Sequence, residues 1–514
     1  MALRLIFPFS SRLTEQSAPT HHIEHIGYTP RMTLAFDNTY ARLPGHFYAR
    51  LAPVPVAGPQ LVKLNTALAV TLGLDPAALD TPEGLAMFAG NQVPAGAEPL
   101  AMAYAGHQFG HFVPQLGDGR AILLGEITDP QGTRFDIHLK GSGRTPFSRG
   151  GDGRAWLGPV LREYVISEAM HALGIPTTRA LAVVTTGEPV YREATRPGAV
   201  LTRVARGHVR VGTFEYFAAR ADHAALRHLA DYVIARHDPA LAGAEQPYLA
   251  LLDAVIGRQA DLIARWLGVG FIHGVMNTDN MSITGETIDY GPCAFMDTYH
   301  PETVYSSIDR HGRYAYANQP RIAQWNLVSL AQSLLPLLDE NQEQAVEIAQ
   351  TAVDTFMPRF ERAYLAVFRA KLGLMDEQAD DAEQIAGFLA ALAADGADFT
   401  NSFRALGEVA AGKETRWSDG SAIAAWLPDW RARLAHETAS PAERAARMRR
   451  ANPAVIPRNH QVEAALNAAV DGDLEPLDAL LRILANPWET RPEHAPYTQA
   501  PQPHEVVRQT FCGT

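Results

Sequence analysis

Between Phe271 and Gly291 the chain reads FIHGVMNTDNMSITGETIDYG, and this stretch limits what the rest can fold into. It carries the adjacent pair Asp279-Asn280, a short polar hairpin-like segment, then an isolated acid in Asp289-Tyr290-Gly291. Oxygen donors from Asn280 and Asp289 suit a hard cation such as Mg²⁺, which takes oxygen ligands and leaves room for substrate phosphates. A helix predicted over Pro247–Leu267, apolar at Leu252, Val255, Ile256, Leu262, Ile263 and Trp266, ends at Gly268 and Gly270 and delivers the stretch.

The same pairing of an Asn with an Asp-x-Gly acid holds the metals in protein kinases. His273 and Asn280 keep the spacing of the ends of His-Arg-Asp-x-x-x-x-Asn, yet the catalytic Asp of that motif falls at Val275. Valine accepts no proton, so the pattern reads as a kinase-like metal site without ordinary kinase chemistry. Upstream, Leu116-Gly117-Asp118-Gly119-Arg120 is a glycine turn leading into the apolar run Ala121–Ile127, with backbone NH groups available to an anion. Arg134–Gly141 alternates in strand fashion and ends on Lys140. A helix predicted from Gly158 to Leu173 carries Glu163, so strand Lys and helix Glu follow in the order of the kinase ion pair.

Between them, GSGRTPFSRGGDGRA (Gly141–Ala155) offers Arg144, Arg149, Asp152, Gly153 and Arg154 on flexible backbone, equipment for bidentate phosphate contact. No Gly-x-x-x-x-Gly-Lys-Ser/Thr occurs, so a P-loop is not supported. Strands are expected at Ala180–Thr185, Val190–Arg192 and Ala199–Val204, the last bearing Arg203, with Arg210 beyond. His107 and His111 are four apart, but Gly106 and Gly110 weaken a helix there, so packing around a turn is favoured over zinc.

Length and charge set the outer bounds. A chain of 514 residues exceeds one typical domain, and a net charge of −12 argues against a general nucleic-acid binder. Two cysteines, Cys293 and Cys512, exclude a disulfide framework, and no run spans a bilayer. The start, MALRLIFPFSSRL, lacks a secretory cleavage site; cytoplasm is expected, with a mitochondrial transit peptide as the alternative. Residues 1–35, including His21, His22 and His25, read as a flexible arm. Helices are further expected at Pro59–Leu72, Asp75–Phe88, Arg321–Leu338, Glu343–Leu372, Asp381–Ala393 and in shorter segments to Val470, and the tail from Asn486 reads as extended.

Together these residues resemble the selenoprotein O family, protein adenylyltransferases with a kinase-like fold. The resemblance runs through Phe36-Asp37-Asn38, Gly106–Gly110, Leu116–Arg120, His138–Gly143, Thr145–Arg149, Arg162-Glu163-Tyr164, His273–Met281, Asp289–Pro292 and Asn459-His460. It implies an α+β, bilobed protein-kinase-like fold: a sheet-containing N-lobe (36–205), a helical C-lobe (206–395), and an added helical extension and tail (396–514). It implies transfer of AMP from ATP to Ser, Thr or Tyr hydroxyls of proteins, with UTP as an alternative donor and pyrophosphate released. The nucleotide is held in reverse relative to a kinase, against Gly117, Gly119, Arg120, Lys140, Asp152, Gly153, Arg203, Arg210 and Asp289. Mg²⁺, or Mn²⁺, falls on Asn280 and Asp289; Asp279 becomes the proton acceptor and Glu163 orients Lys140. Adjacency to Asn280 also allows Asp279 to sit behind the metal instead.

The family often ends in a reactive Cys or selenocysteine before Ser-Ser. Here Gly513-Thr514 follow Cys512, and a regulatory Cys293–Cys512 disulfide is the corresponding expectation. The expected partners are protein substrates, with no nucleic acid and no membrane, and the enzyme is expected to be a monomer. A kinase-like phosphotransferase and a non-catalytic nucleotide-binding pseudokinase are the alternatives, opposed respectively by Val275 and by the retained Lys140, Asn280 and Asp289.

Overall fold

Strand-forming runs in the first 205 residues pair into one large antiparallel sheet and a separate two-stranded hairpin, and the chain beyond is almost wholly helical, an α+β arrangement. The computed structural model describes residues 34–511; residues 1–33 of the expected arm, with its three histidines, and Cys512 lie outside the described residues, while Leu34, placed in that arm, is instead buried in the core. The strands are β1 (Tyr48–Arg50), β2 (Gln60–Leu64), β3 (Leu100–Met102), β4 (Gly106–Gln108), β5 (His111–Val113) and β6 (Ala121–Thr128). They continue with β7 (Arg134–Lys140), β8 (Ala155–Trp156), β9 (Arg179–Tyr191), β10 (Thr195–Ala205), β11 (Phe271–Ile272) and β12 (Ala294–Phe295).

The main sheet runs β1-β3-β6-β7-β10-β9-β2, with β8 pairing β10. In its centre β7 and β10 pair with Lys140 opposite Leu201 and His138 opposite Arg203. Side chains alternate between faces of a strand, so this register puts Lys140 and Arg203 on the same side. That side packs on helix α4, the fourth helix in the chain (Leu157–Ala172), through Leu201, Val183, Leu161 and Val165. Val200, Val204, Ile137 and Leu139 face a second core with Leu68, Met87 and Phe88. The lysine thus meets the helix that carries Glu163.

The helix over Pro247–Gly268 packs against Gln319–Leu338 and Phe356–Leu372. It ends where β11 pairs β12, Phe271 opposite Phe295, a clip that draws together the two ends of the 273–293 loop. No helix among the described residues is long and apolar enough to cross a membrane.

Five expectations are corrected. Asp75–Phe88 is two short helices, Pro76–Leu79 and Pro82–Ala89, separated by Asp80 and Thr81, and the strands expected at Ala180–Thr185 and Val190–Arg192 are one continuous strand, β9. The predicted helix Pro59–Leu72 is a strand followed by a short helix: Gln60–Leu64 pairs β9, and Asn65 caps Thr66–Thr71 by accepting from the Leu68 N–H. Leucines at 61, 64, 68 and 72 fit a helical stripe, but the open sheet edge claims the first two. Glu343–Leu372 is two helices, Gln342–Asp354 and Phe356–Leu372, broken at Thr355. The tail from Asn486 is only partly extended. It contains a turn at Pro492–His494 and a helix at Ala495–Thr498, and Thr510 then bridges Ser306.

Candidate active site

The sheet, α4 and the 273–293 loop surround a cleft of about 730 Å³, within the ~300–1,000 Å³ usual for small-molecule sites. At its floor, Lys140 Nζ lies 2.5 Å from Glu163 Oε2 and 3.2 Å from Asp289 Oδ1. Arg203 donates from Nε to Glu163 Oε1 at 2.8 Å and from Nη2 to Asp289 Oδ1 at 2.6 Å. Arg210 completes the cluster, donating from Nη1 to Asp289 Oδ2 and to the Asp279 carbonyl, both at 2.6 Å. Three cations from separate parts of the chain thus converge on one carboxylate. Burial alone would raise the Asp289 pKa, but Arg203, Arg210 and Lys140 outweigh it and hold the group well below the usual carboxylate range. Asp289 also adopts a left-handed backbone, φ 62°, uncommon outside glycine and costly unless its surroundings impose it.

Asp279 is placed differently. It sits in a turn, Thr278–Asn280, with Oδ1 buried and without a partner and Oδ2 accepting from Gln108 Nε2 at 3.3 Å. Burial pushes its pKa up to about 6, against the pull of Arg210. That is the environment of a carboxylate able to take and hold a proton near neutral pH. Beside it, Asn280 donates its amide to the Val275 carbonyl at 2.9 Å, and its amide oxygen accepts no hydrogen bond among the described residues. His273 is a scaffold: Nε2 donates to the Ile288 carbonyl at 2.9 Å, tying the two halves of the loop together.

The two glycine loops lie across the cleft and clasp each other. Thr145 donates to the Asp118 carbonyl at 2.7 Å, and Ser148 to the Gly119 carbonyl. Gly117 has φ +86°, and a Cβ there would lie 2.4 Å from the Phe147 ring, so no other residue fits without moving that ring. Gly153, φ +70°, is pressed as closely against the Gly143 backbone. Asp152 is held by Arg192 in a two-point contact of 2.7 and 3.0 Å at the rim. Arg120 and Arg149 also line the cleft and make no ion pair among the described residues.

Every expected site residue within 34–511 lines this cleft, apart from Cys293, which is buried behind Asp289-Tyr290-Gly291 and forms no disulfide with a described residue. His107 and His111 are on the two strands of a hairpin, where Gln108 pairs His111, and His107 Nδ1 meets Glu215 at 2.5 Å. Among the described residues no cluster of three or more His, Cys, Asp or Glu side chains could hold a metal ion. Two contributors went unassigned from sequence. Gln108 touches Asp279, and Tyr104 lies under Arg210, whose guanidinium carbon is 4.7 Å from the ring centre. Both lie in the YAGHQFGH run, but only the hairpin's folding against Thr278–Asn280 gives them their roles.

Comparison with known proteins points one way. The family model described as protein adenylyltransferase SelO matches residues 30–485. Protein nucleotidyltransferase YdiU of Rhodopseudomonas palustris is 61% identical over 486 residues, covering 93% of this chain and 99% of the relative. The protein of the same name from a Bradyrhizobium species is 60% identical over 485 residues, covering 93% and 99%. That from Rhizobium johnstonii is 59% identical over 492 residues, covering 94% and 98%.

Proposed function

Because the chain belongs to the SelO family of protein adenylyltransferases, we propose that this cleft transfers AMP from ATP to protein hydroxyls with the triphosphate entering far end first. The observation that carries the reading is the convergence of Lys140, Arg203 and Arg210 on Asp289. Such a cluster is matched to a polyanion, and β- and γ-phosphates compete with Asp289 for the same cations. With those phosphates buried, the α-phosphorus faces Asp279. The acceptor hydroxyl gives its proton to Asp279 and its oxygen bonds to the α-phosphorus. The bond from that phosphorus to the α,β-bridging oxygen breaks, and pyrophosphate leaves with its charge met by the three cations. Glu163 keeps Lys140 and Arg203 aimed, while Gly117, Gly119, Arg120, Asp152 and Gly153 line the path of the rest of the nucleotide.

Mg²⁺ fits the all-oxygen donor set of Asn280 and Asp289, and would neutralise phosphate charge there; Mn²⁺ suits the same donors. UTP is the alternative donor. The sheet region 36–205 and helical region 206–395 take the parts of the two kinase-like lobes, with 396–514 as an extension. The enzyme acts as a monomer in the cytoplasm on protein substrates, without nucleic acid or membrane. The test is ATP labelled at either the α or the γ position, incubated with bacterial protein and Mg²⁺. Label is expected on protein from the α position alone; γ label on protein would make the enzyme a phosphotransferase.

The same reading pairs Cys293 with Cys512. In its support, Thr510 Oγ1 donates to the Pro292 carbonyl at 2.5 Å, bringing the tail beside Cys293. A disulfide oxidant such as oxidised glutathione would take two electrons from the two thiols as they lose their protons. Peptide mapping without reductant is expected to give a linked Cys293–Cys512 peptide, and its absence after oxidation would rule the pairing out.

A further inference from the structure

Beside the catalytic cleft lies a second hollow of about 720 Å³ that the chemistry above does not use. The two share Phe109 and Ile308 as a common wall. Its charge is one-sided. Arg310, Arg313 and Arg321 line it, and none makes an ion pair among the described residues of a chain whose net charge is −12. The one acid in its lining, Asp309, is buried and already satisfied, accepting from the Arg313 and Tyr314 N–H groups at 2.9 and 2.8 Å. Arg313 is held in place by aromatic rings, its guanidinium carbon 4.9 Å from the Trp325 centre and 5.7 Å from that of Tyr314. Its buried Nε has no partner.

The hollow is also tied to the catalytic turn. Tyr314 donates to Asn277 Oδ1 at 2.6 Å, and the Phe109 N–H donates to the same oxygen at 3.0 Å. Asn277 immediately precedes the Thr278–Asn280 turn, and Gln108, next to Phe109, reaches Asp279. A polypeptide presenting a hydroxyl to Asp279 therefore has this groove as its neighbour, and an extended chain advances only ~3.3–3.6 Å per residue. Ile308, 54% exposed, stands at the boundary.

We propose that this groove seats an acidic segment of the protein substrate, Asp or Glu residues flanking the hydroxyl that accepts the nucleotide. The inference rests on the protein-adenylylation reading and names the class of protein it selects. Arg310 and Arg321 are exposed and lie outside the nucleotide site, so replacing them leaves the folded enzyme and its ATP handling intact. The probe is a fluorescein-labelled peptide with Asp and Glu around a Ser-Tyr pair, with a counterpart carrying Asn and Gln instead. Polarisation is expected to show the acidic peptide binding the wild type, and the R310A/R321A double variant about tenfold more weakly. Added salt should weaken the wild-type complex, and Arg321→Glu should weaken it further than Arg321→Ala. With α-labelled ATP, KM for the acidic peptide should rise in the double variant while kcat and KM for ATP stay constant. Equal binding of both peptides, or equal binding by wild type and double variant, would overturn the groove's role. Selective binding without any transfer of α label would instead fault the adenylylation reading and leave the groove's preference for acidic chains standing.

Discussion

Replacing Asp279 by Asn is expected to cut kcat by about 10²–10⁴-fold, the usual contribution of a general base, while making the protein more stable at neutral pH. Two opposite effects arise from one buried carboxylate. The residue is 7% exposed, one of its carboxylate oxygens has no partner, and burial raises its pKa to about 6 from 3.8. The folded state therefore holds the proton more tightly than the unfolded chain does. The stability this contributes is fully present below about pH 4 and is lost as pH rises through 6. At pH 7 the wild type carries a buried charge at a cost of up to about 3 kcal/mol, and the Asp279→Asn variant would not. Urea denaturation of both proteins at pH 4.5 and pH 7.5 should show the gap open at the higher pH and shrink at the lower. Transfer by the wild type should in turn decline as pH falls through 6. A variant that keeps most of its kcat would move Asp279 out of the proton-accepting role and behind the metal.

Glu163→Ala is expected to have the largest effect on folding, a loss of about 3–5 kcal/mol, because it leaves buried cations without their counter-charge. Glu163 is 3% exposed and takes Lys140 on one oxygen and Arg203 on the other. Burial would raise its pKa, but Arg203 and Lys140 draw it below the ordinary value, so it remains ionised. With the carboxylate gone, both cations fall back on Asp289, which already serves Arg210. Glu163→Gln retains an acceptor and should lose less. Equilibrium unfolding of the two variants measures the difference, and a loss under about 1 kcal/mol for the alanine variant would mean that Asp289 alone neutralises the cluster.

Much of this site was legible because its parts are local. Lys140 closes an alternating strand, Glu163 sits on a periodic helix, and Asp279, Asn280 and Asp289 lie within eleven residues of one another on a loop announced by the glycines at 268 and 270. What escaped the sequence depends on contacts far apart in the chain. Gln108 reaches Asp279 across 171 positions, a relation no periodicity encodes. The leucines at 61 and 64 obey a helical spacing, yet pairing with β9 offers their backbone a ladder of hydrogen bonds that a half-buried helix would not. Likewise Arg203 and Arg210 could be assigned to a phosphate site, but their common attachment to Asp289 appears only once three elements meet.

The register between β7 and β10 has a further consequence. Lys140 and Arg203 reach the cleft only because that pairing turns both toward α4. A slip by a single residue would send every side chain of the moved strand to the opposite face, pulling its cation out of the cluster and its aliphatic partners out of the core together. Mutations that loosen this seam therefore cannot trade activity against solubility one step at a time. In evolving lineages, the centre of the sheet should change only by swaps that preserve side-chain volume, leaving novelty to the loops and grooves at its margins.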